Sequence, residues 1–98
     1  MIYHVCTAAQ WAAAQAQGFY SHDSIAAEGF IHCSKLHQVA GVLQRYYSGI
    51  QDLLLLHIDE SLLSNELKYE LAPSIQEEFP HVFGSINLDA VVAVEPIA

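Results

Sequence analysis

The chain has 98 residues, 53% of them hydrophobic and 14% charged, which suits one compact domain over 1–98 and excludes a disordered chain. Its formal net charge is -8, and Lys35, Arg45 and Lys68 are its whole complement of Lys and Arg. So acidic a surface repels phosphate backbones, so no nucleic-acid polymer and no anionic membrane is expected as a partner.

The opening "MIYHVCTAAQW" lacks a basic region followed by an apolar stretch, so no secretory signal is expected and a cytoplasmic location follows. "IYHVC" (2–6) reads as the first strand. Thr7 and Gln10 have capping-box spacing for an alanine-rich helix that ends at Gly18. The stretch "FYSHDSIAAEG" is a polar connection with about one helical turn, and "FIHCS" (30–34) is the second strand. Ser34 is placed to cap a second helix whose apolar face carries Leu36, Val39, Leu43, Tyr46 and Tyr47, with Gly49 as its stop.

"DLLLLHID" (52–59) is apolar enough for a central strand covered on both faces, not long enough to cross a membrane. "KYEL" (68–71) is a short strand, Ser74 and Glu77 suggest a capped turn, and "FPHVFG" reads as a loop or edge. "AVVAVEPI" is the closing strand. The order β-α-β-α-β-β-β indicates an α+β fold, two main helices on a small mixed, largely antiparallel sheet. Nothing in the pattern speaks to oligomeric state.

Alternation along strands sorts the side chains. His4 and Cys6 share one face of the first strand, and His32 and Ser34 one face of the second, with Cys33 opposite. A Cys33–His32 catalytic pair is therefore ruled out by geometry, and Cys6 and Cys33 read as buried reduced thiols. If the two strands lie together, His4 and His32 look into one cleft, joined by His81 and Glu70. Singly, each histidine, including His22, His37 and His57, is more often a satisfied structural imidazole. The spacing of His4, Cys6 and His32 matches no zinc pattern, so no metal is expected.

The pieces "IYHV", "EGFIHCS", "DLLLLHID", "FPHVFG" and "INLDAVV" together resemble a small bacterial family catalogued as domain of unknown function 952, across essentially the whole chain. More distantly, "IYHVCT", a helix and then "GFIHCS" are similar to the first half of ADP-ribosyltransferase-like folds, RNA 2′-phosphotransferases in particular. That resemblance implies a split sheet whose cleft binds NAD or another ADP-ribosyl nucleotide, a small-molecule partner. It places His4, His32, Ser34 and His81 at the nucleotide, and Glu70 with His32 at the reacting ribose in a transferase. The amides at the Ser34 helix start would receive a phosphate, and Tyr3, Phe19, Tyr20 and Phe83 would offer stacking surfaces. The arginines that the RNA-modifying relatives use have no counterparts, and Arg45 on the second helix has no evident place in the site. A non-catalytic sensing or protein-interaction module is the alternative, and a metal-dependent hydrolase a third.

Overall fold

A computed structural model describes residues 1–98. The chain folds as strand β1 (Ile2–Thr7), helix α1 (Ala8–Gln17), strand β2 (Phe19–Tyr20), helix α2 (Ser24–Glu28) and strand β3 (Ile31–His32). Helix α3 (Val39–Tyr46), strands β4 (Leu53–Ile58), β5 (Glu66–Ala72), β6 (Glu77–Phe83), β7 (Ile86–Asn87) and β8 (Val91–Pro96) complete it. Every strand pairing is antiparallel, and the class is the small α+β one expected.

The strands make two three-stranded sheets, ordered β1-β4-β8 and β3-β6-β5, with β2 and β7 paired as a separate ribbon. One bridge ties the two sheets: Tyr3 N–H donates to Ser34 O at 2.8 Å and Ser34 N–H to Tyr3 O at 2.7 Å. Beyond that point β1 and β3 diverge.

The start of α1 is written in its sequence. Gln10 N–H donates to Thr7 Oγ1 at 3.1 Å while Thr7 N–H donates to Gln10 Oε1 at 2.8 Å, and Gly18 closes the helix with φ 94°. In β4, Leu56 and Ile58 enter a core with Ile2, Cys6, Tyr20, Ile31 and Val82. Leu53 and Leu55 point the other way, onto Val5, Val39, Leu43 and Tyr47, so α3 covers the opposite face. The continuous apolar run is explained by this two-sided cover.

Four segments differ from the sequence reading. The second strand is confined to Ile31–His32, and "FPHVFG" belongs to β6, the middle strand of its sheet. Pro80 accounts for both. Its carbonyl accepts from Cys33 N–H at 3.0 Å, and in an antiparallel strand the amide nitrogen faces the same side. The missing N–H therefore falls where Cys33 would continue the ladder, and β3 stops. The helix after β3 begins one residue later than Ser34 would set it: a 3₁₀ turn over Leu36–Gln38 precedes α3, and Lys35 N–H is taken by Gln38 Oε1 at 2.9 Å. Finally, Ser74 caps nothing; residues 73–76 form the turn between β5 and β6, with Gln76 Nε2 donating to Pro73 O.

Candidate functional site

Where β1 and β3 part, a cleft of about 580 Å³ opens, lined by His4, His22, His32, Ser34 and His81 among others. That volume suits a nucleotide-sized ligand. His4, His32 and Ser34 all line it, but face parity does not bring them together: the Tyr3–Ser34 bridge puts Ser34 and His32 on the face of Tyr3 and Val5, while His4 lies on the core face with Ile31 and Cys33, against the sequence expectation. The β3–β6 register sets His81 directly across from His32.

His4 is buried at the floor. A backbone carbonyl can only accept, so His4 Nδ1–H donates to His32 O at 2.6 Å, and the Tyr20 hydroxyl donates to His4 Nε2 at 2.8 Å. The imidazole thus spans the gap where main-chain pairing between β1 and β3 has ended. Burial holds its pKa down to about 4, against the raising effect of the His32 carbonyl and with a smaller lowering from His22 and His32, so it is neutral. Both ring nitrogens are committed inside the protein. His4, which the resemblance places at the nucleotide, therefore meets the cleft only through its ring.

His32 and His81 are built differently. His32 Nε2–H donates to Glu28 Oε2 at 2.7 Å, and His81 Nδ1–H donates to Glu70 Oε1 at 2.7 Å. The His32 hydrogen bond in turn holds the Glu28 carboxyl below its ordinary range. The two rings lie 5.2 Å apart between centres, and Phe30 stacks on His81 at 4.0 Å and 17°. His32 Nδ1 and His81 Nε2 have no protein partner. Glu28 reaches His32 because Gly29, at φ 92°, ends α2 in the left-handed conformation and turns the chain directly into β3. Glu70 stands behind His81 and outside the cleft lining, so it touches a ligand only through that imidazole.

Several site residues escaped the sequence reading. His22 lies 5.9 Å from His4 between ring centres, and its Nδ1 accepts from Ser24 N–H at 3.0 Å, which leaves Nε2 to carry the proton. Arg45, given no role from sequence, lines the cleft and forms no salt bridge, although the chain has 11 Asp and Glu. Tyr46, Tyr47 and Phe79 supply the aromatic wall. Of the stacking candidates expected, Tyr3, Phe19, Tyr20 and Phe83 all lie outside the lining, and Tyr20 is wholly buried. At the Ser34 helix start, Ser34 N–H is bonded to Tyr3 O and Lys35 N–H to Gln38 Oε1, so neither of these two amides is free for a phosphate.

The cysteines are free and buried. Burial pushes the Cys33 thiol up to about 12 and the Cys6 thiol to about 11, the latter against a smaller lowering from Tyr20, so neither is a thiolate at neutral pH. No group of three or more His, Cys, Asp or Glu side chains converges as a metal centre would require. No helix is long and apolar enough to cross a membrane.

Residues 5–94 match the family described as "Protein of unknown function (DUF952)". No curated protein matches the chain. Among solved structures, the crystal structure of protein CC0527 from Caulobacter crescentus is similar, with 30% identity and a TM-score of 0.86 over 95% of this chain and 82% of that one. The solution NMR structure of the same protein is 29% identical with a TM-score of 0.83, over 98% of this chain and 83% of that one.

Proposed function

Because the chain belongs to the DUF952 family, whose description carries no activity, we propose its function from the cleft: it binds a small nucleotide bearing an ADP-ribose group, with NAD and ADP-ribose as the ligands to try first. The observation that carries this reading is Arg45. In a chain of net charge -8, a guanidinium free of any carboxylate lines the cleft, and a guanidinium recognises phosphate oxygens through paired hydrogen bonds. Tyr46, Tyr47 and Phe79 on the same wall offer faces for a purine or nicotinamide ring. The Nε2–H of His22 supplies a further donor. The similarity of "IYHVCT" and "GFIHCS" to ADP-ribosyltransferase-like sequences adds to the reading, and the parting of β1 from β3 is the kind of split sheet that similarity implies.

In this reading the nucleotide carries few phosphates, and a single arginine with polar neighbours is enough for them. A long RNA strand would meet the repulsion of the whole acidic surface. Transfer of ADP-ribose would follow from the same placement, with Glu70 acting through His81 to orient a ribose hydroxyl. Calorimetric titration of ADP-ribose and NAD into the wild type, Arg45→Ala and His32→Ala tests the binding. Saturable binding lost or weakened at least tenfold in Arg45→Ala is expected. Absence of binding at millimolar ligand would overturn the reading and leave a protein-interaction module in its place.

A further inference from the structure

We propose that His32 and His81 are a general base and general acid that hydrolyse a strained cyclic phosphodiester on a small nucleotide. This goes beyond nucleotide binding and does not depend on the ligand being an ADP-ribosyl one.

The geometry is a duplicated dyad. Each imidazole gives one N–H to a carboxylate at 2.7 Å, Glu28 for His32 and Glu70 for His81, which fixes the ring's orientation and tautomer. Each keeps its other nitrogen without a protein partner, and both rings line the same cleft, 5.2 Å apart between centres. His4 differs in having both nitrogens bonded inside the fold, and His57, which likewise gives one N–H to a carboxylate, Glu95, stands alone outside the cleft; His32 and His81 are the pair that share one. Two oriented imidazoles with free nitrogens have two chemical uses, as metal ligands or as proton carriers. A catalytic zinc takes three protein ligands, and no third donor joins these two. Proton transfer is the use that two suffice for.

A pair of proton carriers serves a reaction in which one proton is removed and another delivered at the same centre. Arg45 on the cleft wall supplies the positive charge that a pentacoordinate phosphoryl group needs. Ring strain matters because no metal-activated nucleophile is built from these residues; a cyclic diester brings its own activation.

The step balances as follows. Water enters on the side of His32, whose side chain is 52% exposed, and His32 Nδ1 takes its proton as the water oxygen bonds to phosphorus. The bond from phosphorus to one ring oxygen breaks, and the electron pair stays on that oxygen. His81, 13% exposed and sheltered by Phe30, delivers a proton from Nε2 to the leaving oxygen. The product is the ring-opened phosphomonoester. His32 is left protonated and His81 neutral, and exchange with solvent restores both. Glu28 and Glu70 are positioning residues.

The test uses 2′,3′-cyclic AMP with the full chain, following monophosphate release by phosphorus NMR. Turnover above buffer is expected, with kcat falling at least ~100-fold in His32→Ala and in His81→Ala, in line with the usual contribution of one acid or base. Added imidazole should restore part of the rate to His32→Ala, which a merely structural loss would not allow. Glu28→Gln should lower kcat with KM unchanged, whereas Arg45→Ala should lower kcat and also raise KM, since its guanidinium meets the phosphoryl group in both the bound and the pentacoordinate state. No turnover by the folded wild type would overturn the proposal, as would loss of under threefold in both histidine variants. ADP-ribose binding is scored separately by calorimetry: binding without cyclic AMP turnover sinks this inference alone, and turnover without ADP-ribose binding sinks the ADP-ribosyl reading alone.

Discussion

Replacing His4 with a side chain of similar bulk that does not titrate, His4→Met, should make stability depend on pH in a way that isolates this imidazole. The folded pKa is lowered from 6.5 to about 4, chiefly by burial. The unfolded chain therefore binds a proton that the folded chain refuses, and stability contributed by neutral His4 is fully present above pH 6.5. It is lost as pH falls toward 4 and amounts to about 3 kcal/mol across that window. At pH 7.5 the variant leaves the buried Tyr20 hydroxyl and the part-buried His32 carbonyl without their partner, a cost of roughly 2–4 kcal/mol. Equilibrium urea unfolding of both proteins from pH 7.5 to 4.5 measures the difference. The penalty of His4→Met should shrink steadily with acid, because only the wild type loses stability through His4. The depressed carboxyls of Glu28 and Asp59 act below their ordinary pKa and are common to both proteins. A penalty that stays constant over this range would refute the neutral, doubly bonded His4.

Thr7→Ala removes the hydroxyl that accepts from Gln10 N–H and should cost about 1 kcal/mol in chemical denaturation, with Thr7→Ser close to neutral. Cys33→Ala, at a thiol held protonated by burial, should leave ligand binding within a few-fold; complete loss with circular dichroism unchanged would revive a thiol mechanism. Leu56→Ala, at a wholly buried position of the central strand, should cost about 2–5 kcal/mol by thermal or urea melting.

What was legible from sequence followed local rules. The Thr7–Gln10 capping box, Gly18 and the apolar run of β4 are decided within a few residues, and period-two alternation correctly grouped His4 with Cys6. Elements set by distant partners were not legible. The pairing of Phe19–Tyr20 with Ile86–Asn87 spans most of the chain, and two-residue strands carry no periodicity. Pro80 argued against a central strand, and only the early end of β3 makes room for it. In the site, His32 and Ser34 were readable because alternation puts them on one face, whereas His4 lies on the other face of the bridged strands and meets the cleft through its bond to the His32 carbonyl. Arg45 was not readable, because which side of α3 faces the cleft depends on how Val39, Leu43 and Tyr47 seat against β1 and β4. Likewise Glu28 meets His32 through the Gly29 turn, a contact that neither helical nor strand period anticipates.

The claim that the parting of β1 and β3 makes a nucleotide site is tested most directly by titrating ADP-ribose into nitrogen-15-labelled protein and mapping amide shifts. The account predicts saturable changes concentrated at Val5, His22, His32, Arg45 and Phe79, which come from five separate segments and meet only at the cleft. Changes clustered instead on α1 and the outer edge of β8, or none at millimolar ligand, would contradict it.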